Sequence, residues 1–179
     1  VGRTWRMTAA ERATAYEQLR ENLLPVVDYA ASRGITLAVE PLNRYETSLI
    51  NTVEQGLEAL SGLPEAHCGL ALDVYHMNIE ERDIAAAIEV AGAHIAHVQV
   101  CGNDRGAPGG DNLDWNRISE ALDVAQYQGP LVIESFTADN ASIATAASIW
   151  RPLADSQDAL ARDGLAYLRS LRHPTEETT

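Results

Sequence analysis

Four runs decide the fold: Leu37-Ala38-Val39-Glu40, Leu70-Ala71-Leu72-Asp73, His97-Val98-Gln99 and Leu131-Val132-Ile133-Glu134. Each is short and mostly apolar, as strands buried on both faces are, and each ends in a side chain with an oxygen donor. Parallel strands that end at one rim bring their last residues together, so donors far apart in sequence can meet on one ion. Glu40 and Asp73 are 33 residues apart, Asp73 and Gln99 are 26 apart, and Gln99 and Glu134 are 35 apart. Each interval is about the length of one strand–helix unit. The runs share no repeated consensus, which argues against a solenoid and for an α/β barrel.

Working outward, helix signals fill the intervals. Thr8-Ala9-Ala10-Glu11 has the capping-box form and opens a helix from about Thr8 to Ser32, with Leu19, Leu23, Val26, Val27 and Ala30 on one stripe. Pro25 is expected to kink it and Gly34 to supply the left-handed residue after its end. A strand Ile35–Glu40, a rim loop Pro41–Ile50 and a second capping box Thr52-Val53-Glu54-Gln55 follow. The order then repeats: a strand from Cys68, a helix over 81–91 whose start carries Glu80, Glu81 and Asp83, a strand His94–Val100 and a helix over 115–126. The last strand is Pro130–Glu134. A closing helix spans Asp155–Arg172 with Leu160, Leu165 and Leu168 inward, and residues 174–179 form a polar tail.

A complete eight-stranded barrel takes roughly 250 residues. This chain has 179, begins at Val1 and opens on a helix, so the expectation is a single domain over 1–179. It would be the C-terminal portion of a TIM (β/α)8 barrel, its last four βα units plus a preceding helix, with sheet edges that something must cover.

The formal net charge of −13 repels phosphate backbones and anionic lipid surfaces. The expected partner is a small molecule, not nucleic acid or a membrane, and the expected compartment is the cytoplasm. No apolar run approaches the roughly 20 residues of a membrane span. The two cysteines, Cys68 and Cys101, read as buried reduced thiols.

Glu40, Asp73, Gln99 and Glu134 together make an all-oxygen site with three formal negative charges, which favours a hard divalent ion: Mn²⁺ foremost, with Mg²⁺ or Co²⁺ as alternatives. His94 and His97 read as structural, His97 as a partner of a ligand, and His67 and His173 as solvent-facing. Trp115 and Trp150 read as core or lid anchors rather than ligand-stacking platforms.

Around these positions the chain resembles the sugar isomerase/epimerase superfamily with a xylose-isomerase-like barrel, and most closely the D-tagatose/D-psicose group of ketose 3-epimerases. The resemblance is carried by Glu40-Pro41-Leu42-Asn43-Arg44, by Leu72-Asp73-Val74-Tyr75-His76-Met77-Asn78-Ile79-Glu80-Glu81, and by Asn103-Asp104-Arg105-Gly106-Ala107-Pro108-Gly109. Leu131-Val132-Ile133-Glu134-Ser135-Phe136 and Ser148-Ile149-Trp150-Arg151 add to it. It implies one divalent metal held by Glu40, Asp73, position 99 and Glu134, substrate oxygens held by Glu46, His76 and Arg105, and a homo-oligomer, dimer or tetramer. Position 99 is Gln where the 3-epimerases usually have His, and in this it is similar to hydroxypyruvate isomerases. The implied activity is C3 epimerisation of a ketose through a cis-enediolate, with aldose–ketose isomerisation of the hydroxypyruvate isomerase type as the alternative. A metal-dependent phosphodiesterase on the same barrel and a non-catalytic barrel fragment are the competing classes.

Moving a proton on a carbon beside a carbonyl calls for a polarised carbonyl and a base, and inversion calls for a second acid on the opposite face. Glu40 and Glu134, separated by two strands, are the candidates for that pair, with Arg105 and His76 stabilising the developing oxyanion.

Overall fold

The structure is a computed structural model and describes residues 6–171. Arg172, His173 and the tail 174–179 lie outside the described residues. Four strands, β1 (Leu37–Val39), β2 (Cys68–Asp73), β3 (Ile95–Val100) and β4 (Leu131–Ile133), form one sheet in the order β1-β2-β3-β4. All three pairings are parallel. Sequential parallel strands linked through helices are the wall of a barrel, and here the wall is partial.

Seven helices connect and flank the strands: α1 (Ala9–Ala31), α2 (Val53–Leu60), α3 (Val74–Glu80), α4 (Ile84–Ala91), α5 (Trp115–Val124), α6 (Ala141–Ala147) and α7 (Gln157–Leu171). Side chains alternate across a strand, so each strand offers one set to the helices and one to the opposite face. Leu70, Leu72, Val98 and Val100 join Ala85, Ile88, Ile118, Leu122 and Leu168 in one buried core, with Leu37, Val39, Leu131 and Ile133 packed against it. The register sets Asp73 opposite Gln99 and Gln99 opposite Val132, so these three share the other face. That face is lightly covered: Ala38 is exposed and Val132 keeps 38% of its surface. Gly69 is required on β2, because a Cβ there would meet the His94 carbonyl oxygen at 2.4 Å.

The capping box at Thr8 forms in both directions: the Thr8 hydroxyl accepts from the Glu11 N–H, and Glu11 accepts from the Thr8 N–H at 2.8 Å. Gly34 takes φ +69° as expected, and α1 runs on through Pro25. Both cysteines are buried free thiols, and His67 faces solvent.

Several expectations are corrected. The box at Thr52 is half formed: Thr52 accepts from the Gln55 N–H, but the Gln55 amide oxygen reaches the Asn51 N–H, one residue earlier. The helix expected over 81–91 is α4, which starts at Ile84, and an unexpected helix, α3, precedes it over Val74–Glu80. Asp73 ends β2 and also caps α3 by accepting from the Tyr75 N–H at 2.9 Å, so a helix starts directly off the strand. Extended Glu81 then interrupts the chain, and Asp83 caps α4. Glu80, Glu81 and Asp83 therefore do not share one helix start: Glu80 ends α3 and Glu81 accepts from the Val53 N–H. Helix α6 has no counterpart in the expected elements. Val26 and Leu165 are exposed, and Gly164 takes the inward place on α7, where a Cβ would meet the Ile133 side chain at 2.8 Å. Trp115 is a core anchor whose indole N–H bonds Asp111, whereas Trp150 is 74% exposed and anchors nothing in the core. Among the described residues no helix is long and apolar enough to cross a membrane.

Candidate active site

Asp73 is the centre of the site and its most deeply buried carboxylate. Its Oδ2 accepts from Arg105 Nη1 at 2.6 Å, and the same nitrogen donates to Glu134 Oε2 at 3.1 Å. One guanidinium thus bridges carboxylates from β2 and from just past β4. Arg105 is 7% exposed although it lies in a Gly/Pro loop, and its backbone sits in the left-handed region at φ 69°. The loop closes on itself, with Arg105 N–H donating to the Gly102 carbonyl, while the Ser135 hydroxyl donates to the Arg105 carbonyl at 2.5 Å. The guanidinium lies 4.0 Å from the Tyr75 ring centre, within range of a cation–π contact.

Glu40 stands one residue past β1. Its donor atom, one of Asp73 and one of His76 all lie within 4.8 Å of one another, close enough for a single cation to reach. Burial pushes the Glu40 carboxyl up to about 7, helped by the charges of Asp73 and Glu134, and Arg105 offsets only part of this. Burial likewise raises the Glu134 pKa. Burial, then the Arg105 charge, lowers that of His76, which favours the neutral imidazole.

His76 projects from α3 with both ring nitrogens engaged. Nδ1 faces the Asn43 backbone N–H at 3.1 Å and the Asn43 side-chain nitrogen at 2.9 Å. Nε2 looks toward Asp73 Oδ2 at 3.6 Å, Glu40 Oε1 at 3.7 Å and Arg105 Nη2 at 3.2 Å. Glu46, half exposed, accepts from the Asn43 side-chain nitrogen at 3.0 Å. Around these groups opens a cleft of about 800 Å³ lined by Glu40, Glu46, His76, Arg105 and Glu134, with Tyr45, Phe136 and Ile143 among its apolar walls.

Six of the seven expected site residues therefore gather in one place: Glu40, Glu46, Asp73, His76, Arg105 and Glu134. Gln99 lies inside β3, one residue before the strand ends, opposite Asp73 in the register and on the same face of the sheet; like Asp73 it is not part of the cleft wall. His97 shares the Gln99 face, and His94 sits in a short 3₁₀ turn before β3. The Gly106–Gly110 loop offers no phosphate cradle from its Gly106 and Gly109 amides, which already bond Asp104 and Asp111. Sequence reasoning missed Asn43 and Ser135. Each stands beside an expected site residue in a quoted motif, but nothing in its type reveals a long-range bond.

The donor set fits a hard divalent cation. Three carboxylates converge where one cationic group already sits, and the neighbouring Cys101 thiol, pushed up to about 12 by burial and the Asp73 charge, offers no thiolate.

Residues 1–171 match the family model described as Xylose isomerase-like TIM barrel. The chain belongs to this family. Among relatives of this barrel, a probable ketose 3-epimerase of Synechocystis sp. is 41% identical over 152 residues, covering 85% of this chain and 53% of the relative. A D-psicose 3-epimerase of Enterocloster bolteae is 34% identical over 165 residues, covering 91% and 54%. The crystal structure of a D-allulose 3-epimerase from Methylomonas sp. superposes with a TM-score of 0.82 at 31% identity, covering 96% of this chain and 59% of that one. The chain spans about half the length of the curated relatives it matches.

Proposed function

We propose that this chain carries the proton-transfer and carbonyl-binding half of a metal-dependent ketose 3-epimerase. The observation that carries the reading is the pair of partly buried carboxyls, Glu40 and Glu134, reaching one cleft from opposite ends of the sheet with Arg105 and His76 between them. A sugar held between them meets one carboxyl on each face of its C3. One takes the proton and the other, protonated, returns one from the opposite side. A Glu40 carboxyl whose pKa stands near 7 is poised for either role.

Glu40, Asp73, Gln99 and Glu134 are the proposed metal-holding residues, and Mn²⁺ the proposed ion. When bound, such an ion supplies Lewis-acid polarisation of the substrate carbonyl. Arg105 directs N–H donors to the oxygen on which negative charge develops, and burial strengthens that interaction. His76 and Glu46 hold the flanking hydroxyl and carbonyl oxygens. The relatives' names, which include D-psicose and L-ribulose 3-epimerase, support a free ketose as substrate. The acidic net charge and the occupied loop amides weigh against a nucleic-acid or phosphorylated ligand. A cytoplasmic homo-oligomer belongs to the same proposal.

The test incubates the chain, with Mn²⁺, separately with D-fructose, D-tagatose, L-ribulose and hydroxypyruvate in deuterated water. Epimerisation of a ketose with solvent deuterium entering at C3 is the expected result. Conversion of hydroxypyruvate alone would favour the aldose–ketose alternative that Gln99 suggests, and no exchange with any substrate would sink both. Mn²⁺ binding by the Gln99→Ala variant, measured by titration calorimetry, is expected to weaken by about tenfold or more. Unchanged affinity would remove Gln99 from the ligand set.

A further inference from the structure

Asn43 is 2% exposed and belongs to neither the proton-transfer pair nor the metal-holding set, yet it touches two of the three proposed substrate-binding residues. Its backbone N–H and side-chain nitrogen both point at His76 Nδ1, at 3.1 and 2.9 Å. The same side-chain nitrogen donates to Glu46 Oε1 at 3.0 Å, and Asn43 Oδ1 accepts the Tyr45 N–H at 2.9 Å. That second bond fixes which end of the amide is which: the oxygen is taken by a backbone donor, so the nitrogen must face His76 and Glu46.

A neutral imidazole has one nitrogen that accepts and one that donates. On the Nδ1 side stand two donors within hydrogen-bond range, one of them a backbone N–H that cannot rotate away, and a Glu46 carboxylate oxygen farther off at 3.9 Å. On the Nε2 side stand two carboxylate oxygens, at 3.6 and 3.7 Å, and one Arg105 nitrogen at 3.2 Å. The Arg105 nitrogen near Nε2 is Nη2, while Nη1 is the one that bonds Asp73 and Glu134. The backbone N–H fixed on Nδ1 makes that nitrogen the acceptor and so places the proton of the neutral ring on Nε2. His76 with that proton is a donor aimed into the cleft, and it has no lone pair at Nε2 to give a cation. The grouping of His76 with Glu40 and Asp73 is therefore proximity, not ligation.

We infer that Asn43 is a positioning residue: its backbone N–H, with its side-chain nitrogen beside it, holds His76 as an Nε2–H donor, and the same side-chain nitrogen holds the Glu46 carboxylate next to it. The inference rests on the proposed reading for the purpose of that pair, but the lock itself is a property of the resting protein.

The experiment is long-range ¹H–¹⁵N correlation NMR on the metal-free 179-residue chain near pH 8, with His76 assigned through its absence in the His76→Gln variant. Wild type is expected to show Nδ1 unprotonated and Nε2 protonated. Asn43→Asp, nearly isosteric, replaces the side-chain donor by an acceptor and is expected to move the proton toward Nδ1. Asn43→Ala keeps the backbone donor and is expected to retain the wild-type tautomer while releasing Glu46. An Nδ1-protonated or doubly protonated His76 in wild type would overturn the proposal, as would an unchanged tautomer in folded Asn43→Asp. If Asn43→Asp does not fold, the wild-type and Asn43→Ala tautomers decide. With a substrate that turns over, Asn43→Ala is expected to raise KM about tenfold with a smaller change in kcat, and an unchanged KM would refute the Glu46 arm. Failure of all turnover with the expected tautomers in place would count against the epimerase reading and leave the lock standing.

Discussion

Replacing Glu40 by Gln is expected to stabilise the metal-free protein at alkaline pH while weakening metal binding. The folded carboxyl titrates near 7 instead of its ordinary 4.5 because it is partly buried and faces Asp73 and Glu134. The native state then binds more protons than the unfolded chain between those two values, so stability falls as pH rises through about 4.5 to 7 and stays low above. Below 4.5 both states are protonated and the penalty vanishes. A rise from 4.5 to about 7 corresponds to on the order of 3 kcal/mol, at about 1.4 kcal/mol per pH unit. The side chain keeps 32% of its exposure, and solvent screening roughly halves the figure, to about 1.5 kcal/mol. Gln removes the ionisation and keeps the shape. Urea unfolding of both proteins, rigorously metal-free, at pH 4.5 and pH 8.5 is the assay. Glu40→Gln should exceed wild type by about 1.5 kcal/mol at pH 8.5 and by only a few tenths at pH 4.5. Equal stabilities at pH 8.5, or a difference that does not shrink on acidification, would refute the reasoning.

Arg105→Lys should lower kcat/KM by roughly 100-fold or more, since a compact ammonium cannot bridge Asp73 and Glu134 while presenting a second N–H to the cleft; steady-state kinetics with the accepted ketose checks it. Neither Cys68 nor Cys101 should react with an aromatic disulfide reagent at pH 8 until the chain is unfolded, because both are buried and the Cys101 thiol is pushed up to about 12. Leu72→Ala should cost about 2–5 kcal/mol in denaturant unfolding, because the side chain is 1% exposed at the centre of the sheet–helix core.

The sequence by itself determined the strand positions and their ends, because strands buried between layers must be apolar throughout and a carboxylate at the rim interrupts that run. Leu70–Asp73 and Leu131–Glu134 are legible for this reason, and so is the helix start at Thr8, where a short polar side chain bonds a first free amide. Arg105 and His76 stood out through the family resemblance that their motifs carry. Only the tertiary structure decided what depends on the meeting of distant segments. That Asp73 serves at once as strand end, helix cap and acceptor for Arg105 follows from one carboxylate having two oxygens and four lone-pair sites, which local pattern cannot apportion. That Leu165 faces out while Gly164 faces in is set by where Ile133 and Pro108 stand, not by the periodicity of the helix. The role of Asn43 was equally hidden, because its partner His76 lies 33 residues away. A hydrogen bond carries its direction and its energy only once the fold has closed that distance.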